Sequence, residues 1–247
     1  MSDLAWEAEG DGPPALLLVH PGLGDRSFWD LAWPALTSRA RAIRFDQRGF
    51  GASPDPVAPY APAADAAAVL DAAGSDRAVA IGVSFGARVA LDLAAAHPER
   101  VAALVLASGP GAPDAAMEAR FDEVDAAVER GDLDGANAIE VDLWAGHADA
   151  RLRAWLVPQN RALLERQAGF EHEPTFGEPP EALGMPVLVL LGEHDVPSTI
   201  AGARATAERL GAEVVTVPGA GHLLGREAPE AFLAAVEPFV RAAWPSA

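Results

Sequence analysis

The sequence lacks cysteine altogether, since none occurs in its 247 residues. This absence excludes disulfide bonds, metal sites built on thiolates and a cysteine nucleophile. It also means that cysteine usage says nothing about the redox compartment. We expect neither a metal ion nor an organic cofactor.

Basic side chains are scarce as well. The chain has 18 lysine and arginine residues against 36 aspartate and glutamate residues, which gives a formal net charge of −18. A surface of this charge repels nucleic-acid phosphates and anionic lipid headgroups. We therefore expect no nucleic acid and no membrane among its partners.

Two kinds of apolar segment are also missing. No apolar run approaches the length of a transmembrane helix. Residues 1–10 lack the basic segment followed by an apolar run that marks a signal peptide. These absences predict a cytoplasmic protein, and the oligomeric state cannot be deduced from them.

What the sequence does contain is the material for one large buried core. Hydrophobic residues make up 50% of the chain, and its length suits one α/β domain with an insertion. Short apolar runs alternate with longer helical patterns. The runs that predict strands are 15–20, 42–46, 78–84, 101–107, 186–191 and 213–217, with an antiparallel edge strand at 4–9. The patterns that predict helices are 62–73, 85–96, 200–210 and 229–243.

The strands are almost continuously apolar, which is typical of a sheet covered on both faces and therefore mostly parallel. Alternation of strand and helix predicts a doubly wound α/β fold. One segment interrupts the alternation, because from 111–180 the apolar residues recur at helical spacing instead. We predict an inserted helical cap there, with the core formed by 1–110 and 181–247.

The sharpest motif is Gly82-Val83-Ser84-Phe85-Gly86, at the junction of a predicted strand and a predicted helix. A serine on such a turn is held in a strained backbone conformation that exposes its hydroxyl, and the glycines avoid clashes with neighbouring elements. The motif predicts Ser84 as a nucleophile. Phe85 opens the helix, so its free N–H is the predicted donor to an oxyanion.

A serine hydroxyl needs a base, and histidine is the usual one. Of six histidines, His222 follows the last predicted strand in a glycine-rich loop, at the same sheet edge as Ser84. His194 is the main competitor. His20 also ends a strand, but we interpret it as the anchor of the turn that follows.

The base in turn needs a carboxylate that fixes its tautomer. Asp195 lies just beyond a predicted strand and is the first choice, with Glu193 as the second. The competing interpretation is that Asp195 only caps the next helix. The order Ser84, Asp195, His222 is the one that this strand-turn-helix motif requires.

A second oxyanion donor is expected after the first central strand. Gly22 is the predicted donor, and Leu23 is its alternative. The loop is rich in glycine, but it has neither a Walker lysine nor the full Gly-x-Gly-x-x-Gly spacing, so nucleotide binding is disfavoured.

Taken together, these segments resemble the α/β-hydrolase superfamily, of the serine esterase and lactonase kind with a helical cap. The resemblance is carried by HPGLGD at 20–25, FDQRGFGAS at 45–53, GVSFGA at 82–87, GEHD at 192–195 and GAGH at 219–222. It implies that the insertion roofs a substrate pocket. The residues we expect to line it are Leu23, Leu143, Trp144 and Trp155, although aromatic residues at helical spacing more often pack within a cap.

The implied activity is that of a serine hydrolase, which cleaves a small carboxylic ester or lactone through an acyl-enzyme on Ser84. Enol-lactonases, perhydrolases and carbon–carbon bond hydrolases use the same three residues, so these activities stay open. The alternative from another class is a small-molecule receptor of the same fold that turns nothing over.

Overall fold

A computed structural model of the chain describes residues 2–244. Its strands are β1 (Trp6–Glu9), β2 (Ala15–Val19), β3 (Arg41–Phe45), β4 (Ala78–Val83), β5 (Val101–Ala107), β6 (Val187–Gly192) and β7 (Glu213–Val217). Within the described residues they form one seven-stranded sheet in the order β1-β3-β2-β4-β5-β6-β7. Strand β1 is antiparallel to β3, and the other neighbouring pairs are parallel.

The predicted mostly parallel α/β sheet is therefore confirmed. Every residue of the central strands β4 and β5 is buried. This burial on both faces explains why their sequences are continuously apolar instead of alternating. Each predicted strand overlaps an observed one, and the ends differ by at most two residues.

Helices cover both faces of the sheet. They are α1 (Trp33–Thr37), α2 (Pro62–Ala72), α3 (Phe85–Ala96), α4 (Ala115–Glu129), α5 (Leu133–Ala145), α6 (Ala150–Gln167), α7 (Pro197–Leu210), α8 (Leu224–Glu227) and α9 (Pro229–Ala243). The buried residues of α2, α3 and α7 share one apolar cluster with the sheet, and those of α1 and α9 share the other. None of the helices in residues 2–244 combines the length and the apolar character needed to cross a bilayer.

Helices α4, α5 and α6 occupy the segment 111–180, which we call the helical insertion. They lie between β5 and β6. Helix α5 begins at Leu133, because the Asp132 carboxylate caps it by accepting the Gly135 N–H at 2.9 Å. Val141 and Leu156 of the insertion pack into the same cluster as α1 and α9. The insertion is thereby anchored on the core.

Candidate active site

Ser84 lies on the turn between β4 and α3. Its backbone has φ 53° and ψ −117°, a conformation that costs a non-glycine residue on the order of 1–3 kcal/mol. The turn is fixed on both sides, since the Ser84 N–H donates to the Ala107 carbonyl oxygen at 2.8 Å and the Ala87 N–H donates to the Ser84 carbonyl oxygen at 2.9 Å. The half-buried side chain therefore has a defined place at the carboxyl end of the sheet.

Glycine is required on either side of Ser84. A Cβ atom on Gly82 would overlap the carbonyl oxygen of Gly86. A Cβ atom on Gly86 would overlap the carbonyl oxygens of Val19 and His20. The close strand-turn-helix packing that the motif predicts is therefore present, with the end of β2 directly against the turn.

Asp195 and His222 lie on adjacent loops at the same end of the sheet. Asp195 follows β6 and His222 follows β7, and these two strands are neighbours. The loops touch through their backbones, because a Cβ atom on Gly192 would overlap the carbonyl oxygen of Gly221. A glycine at this point lets the acid and the histidine approach each other.

The three side chains are joined by hydrogen bonds. His222 Nε2 lies 2.8 Å from Ser84 Oγ, and His222 Nδ1 lies 2.8 Å from Asp195 Oδ1. A carboxylate only accepts, so Nδ1 carries the proton and Nε2 is left to accept the Ser84 hydroxyl. The His222 and Asp195 side chains are 3% and 0% exposed. This arrangement can take the hydroxyl proton as Ser84 attacks an electrophile.

The two candidate acids have different partners. Asp195 Oδ1 also accepts the Val196 N–H at 2.7 Å, and α7 has no side-chain cap at its start. Capping of α7 therefore does not account for Asp195. The Glu193 side chain is 52% exposed and accepts the Gly219 N–H at 2.9 Å, so it is bonded to the next loop rather than to His222.

The predicted oxyanion donors are brought together. A Cβ atom on Gly22 would lie 3.4 Å from the Cβ of Phe85, so the two residues are in contact beside Ser84. Within residues 2–244, no acceptor is bonded to the backbone N–H of Gly22, Leu23 or Phe85. These donors remain available to a ligand, and the choice between Gly22 and Leu23 stays a prediction.

The competing histidines have other environments. His20 is fully buried, with Nδ1 2.7 Å from the Pro21 carbonyl oxygen and Nε2 accepting the Gln47 N–H at 3.1 Å. Burial lowers its pKa, which suits a neutral anchor of the turn. His194 is 42% exposed, and its ring stacks 4.0 Å from that of His147. Within residues 2–244, no group of three or more histidine, aspartate or glutamate side chains is placed to hold a metal ion.

The helical insertion reaches the site through Trp144. Its ring centroid lies 4.3 Å from that of His222 and 6.1 Å from that of Phe121. A cavity of about 270 Å³ opens beside them, and its walls include Leu143, Trp144, Asp195 and His222. Two of the four predicted pocket residues thus border a cavity at the imidazole.

The other two pocket candidates lie elsewhere. Leu23 is buried in the core cluster. Trp155 carries the Arg226 guanidinium 3.6 Å above its ring and packs beside Gly24. Neither borders the cavity next to His222, and a substrate contact of either remains a prediction.

Residues 16–235 match the model of the α/β hydrolase family. The chain belongs to the α/β hydrolase family. The resemblance seen in the sequence motifs is confirmed, and the matched range of this α/β hydrolase includes Ser84, Asp195 and His222.

Relatives of this α/β hydrolase match over most of its length. A protein of Caulobacter sp. strain K31, provisionally named carbamate hydrolase RutD, is 33% identical over 91% of this chain and 90% of its own. A protein of Mycobacterium tuberculosis strain H37Rv, provisionally named non-heme bromoperoxidase BpoC, is 28% identical over 94% of this chain and 95% of its own.

Solved structures of similar fold include two hydrolases. A thermophilic esterase from Thermogutta terrifontis superposes with a TM-score of 0.81 and 26% identity, covering 97% of this chain and 93% of its own. The enol-lactonase from Burkholderia xenovorans LB400 has a TM-score of 0.79 over 96% of both chains. Its identity of 22% makes it evidence of the fold alone.

Glu227 of this α/β hydrolase contacts the His222 loop, and this contact was not predicted from the sequence. Its carboxylate accepts the Gly221 N–H at 2.7 Å through Oε2 and the Leu223 N–H at 2.9 Å through Oε1. The feature of the sequence that could have indicated this contact is an acidic residue five positions after His222. That spacing does not reveal the contact, because the contact depends on how the loop and α8 fold back together.

Proposed function

We propose that this α/β hydrolase cleaves a small carboxylic ester or lactone through an acyl-enzyme on Ser84. The observation that carries the proposal is the 2.8 Å separation between His222 Nε2 and Ser84 Oγ, with Asp195 Oδ1 2.8 Å from His222 Nδ1. A serine with such partners is a stronger nucleophile than a free hydroxyl.

In the first step Ser84 Oγ attacks the carbonyl carbon while His222 Nε2 takes the hydroxyl proton. The tetrahedral oxyanion accepts hydrogen bonds from the free N–H groups of Phe85 and Gly22. The bond between carbon and the leaving oxygen then breaks, and His222 gives its proton to that oxygen. Asp195 stabilises the imidazolium that exists between the two transfers.

In the second step water attacks the acyl-enzyme. His222 takes a proton from the water and returns it to Ser84 Oγ as the acyl bond breaks, which releases the carboxylic acid. In a lactone the leaving oxygen stays tethered to the acyl group, so the product is a single hydroxy acid.

Ser84 does not line the cavity of about 270 Å³ that His222 and Trp144 border. Charged side chains such as Arg120 and Glu227 share its walls with Leu143 and Trp144. The size and polarity of the substrate are therefore decided by the comparison of substrates below.

A carbamate is the second candidate substrate. The similarity to the protein named carbamate hydrolase, 33% identity over 91% of this chain, favours it. Its carbonyl carbon would be attacked by Ser84 in the same way. The same three residues therefore serve either reaction. The two substrates differ in the acyl group, whose carbonyl carbon is bonded to carbon in an ester or lactone and to nitrogen in a carbamate.

The test is turnover of p-nitrophenyl acetate, p-nitrophenyl butyrate, γ-butyrolactone and a simple alkyl carbamate by wild type, Ser84→Ala and Ser108→Ala. Ser108 is a matched control, since it directly follows β5 as Ser84 follows β4 and has a positive φ of 50° like Ser84. We expect Ser84→Ala to lose turnover by about 10⁴-fold or more, and Ser108→Ala to keep most of it.

Three outcomes contradict the proposal in different ways. Ester or lactone hydrolysis that survives in Ser84→Ala excludes Ser84 as the nucleophile. Turnover of the carbamate alone replaces the first candidate substrate with the second. Binding of these compounds without any turnover by wild type favours the small-molecule receptor.

A further inference from the structure

The loop that carries His222 is held by a carboxylate from the next helix. His222 lies between Gly221 and Leu223, and the backbone N–H groups of these two neighbours point to the same side chain, Glu227 of α8. Gly221 donates to Oε2 at 2.7 Å and Leu223 donates to Oε1 at 2.9 Å. The chain is therefore bound immediately before and immediately after the imidazole-bearing residue.

Two such bonds restrict the peptide planes on both sides of His222. The direction of the imidazole depends on these planes, because the side chain leaves the backbone between them. Nε2 and Nδ1 must both keep distances of 2.8 Å to partners on other loops. Displacement of a catalytic group by about 1 Å can cost about 100-fold in rate.

The contact requires a carboxylate specifically. Both groups that face Glu227 are N–H donors, so the side chain has to present two acceptor atoms. A glutamine of the same shape offers one oxygen and one NH₂ group. That NH₂ group would face an N–H, which leaves a donor opposite a donor.

We propose that Glu227 is a positioning residue that fixes the orientation of the His222 imidazole through the amides of Gly221 and Leu223. The inference rests on the proposed function, in which His222 transfers the Ser84 proton. Glu227 itself touches neither the substrate nor the reacting atoms in this account.

Glu193 provides a matched control, because it binds the His222 loop from the neighbouring loop after β6. It accepts one backbone N–H, that of Gly219 at 2.9 Å, and its side chain is 52% exposed. Glu193→Gln removes a negative charge near the loop but keeps an oxygen for that single bond. Comparison of Glu227→Gln with Glu193→Gln therefore separates the effect of the two backbone hydrogen bonds to Glu227 from the effect of losing a negative charge near the loop.

The experiment compares wild type, Glu227→Gln, Glu227→Ala and Glu193→Gln by steady-state kinetics, thermal unfolding and proton NMR. The NMR readout is the far-downfield resonance of the His222 Nδ1 proton shared with Asp195. For both Glu227 variants we expect kcat to fall by about 10- to 100-fold, KM to stay within about threefold, and the downfield resonance to broaden or vanish. Glu193→Gln should behave like wild type in all three.

Each other result overturns the proposal. Unchanged kcat and an intact downfield resonance in Glu227→Gln show that the contact does not orient His222. Failure of both Glu227 variants to fold assigns Glu227 to the stability of the whole chain instead. The NMR readout needs no substrate, so a wild type without hydrolase activity would refute the proposed function while the resonance still tests the position of His222.

Discussion

The indole ring of Trp144 covers the imidazole of His222, with 4.3 Å between ring centroids and a tilt of 34°. Trp144 belongs to the helical insertion and His222 to the core, so this contact joins the two at the proposed base. The face of an indole attracts a cation, and His222 becomes a cation when it holds the Ser84 proton.

Loss of the Trp144 ring is therefore expected to slow the chemical step. A cation–π contact of about 1–2 kcal/mol corresponds to a fall in kcat of about 5- to 30-fold for Trp144→Leu. Trp144→Phe keeps an aromatic face and should stay within about threefold of wild type. Trp6→Phe is the control, since that residue lies on the edge strand β1. Equal kcat values for wild type and Trp144→Leu would remove the imidazole contact from the mechanism.

The turn at Ser84 predicts a stability effect that does not depend on activity. Gly86→Ala places a methyl group against the carbonyl oxygens of Val19 and His20, and we expect a loss of about 3 kcal/mol or more in the free energy of unfolding. Gly184→Ala is the control, because nothing lies within 4 Å of its Cβ position. Denaturant unfolding of both variants measures the difference. A Gly86→Ala variant as stable as wild type contradicts the described packing.

His20 predicts a pH dependence of stability. Burial lowers its pKa from the ordinary value of 6.5, so below that pH the unfolded chain binds a proton that the native chain does not. The free energy of unfolding should therefore fall as the pH drops below about 6.5, by up to about 1.4 kcal/mol per pH unit from this group. Urea unfolding at pH 5.5–7.5 should show a shallower slope for His20→Gln than for wild type. His97→Gln, at a site 39% exposed, should keep the wild-type slope, and an unchanged slope in His20→Gln would contradict the assignment.

For Glu140 of the insertion we expect a pH dependence of stability with the opposite sign to that of His20. Burial raises its pKa, with a further contribution from Asp125, although the Asn160 amide donates to it at 2.7 Å. The stabilisation from this group is present at low pH and is lost as the pH rises through the raised pKa. Glu140→Gln should therefore raise the unfolding temperature at pH 7, on the order of 2 °C, and the gain should shrink near pH 4. The exposed Glu129→Gln is the control, and a lower unfolding temperature for Glu140→Gln contradicts this account.

Much of the architecture follows from local patterns. Continuous apolar runs located the strands because each is buried on both faces, and α3 and α9 were predicted with their observed bounds. Helices α1 and α8 were missed because elements of five and four residues are too short to show a period. Helix α7 was predicted to start three residues late, since its start at Pro197 has no side-chain cap.

The candidate site also has one part that was predicted from the sequence and another that was not. The sequence located Ser84, Asp195 and His222 because each follows a strand at one edge of a parallel sheet, where topology brings loops together. The contacts of Trp144 and Glu227 could not be read from it. The first depends on how the insertion packs on the core, and the second depends on how a four-residue helix folds back on its own loop.

The central claim is that His222 and Asp195 activate the Ser84 hydroxyl. The most direct measurement is the rate of covalent labelling by a fluorophosphonate, with the labelled residue identified by peptide mass spectrometry, in wild type, His222→Ala and Asp195→Asn. The account predicts one label per wild-type chain, on Ser84, and labelling at least about 1,000-fold slower in both variants. Labelling of another residue, or labelling of Ser84 at the wild-type rate in His222→Ala, would contradict it.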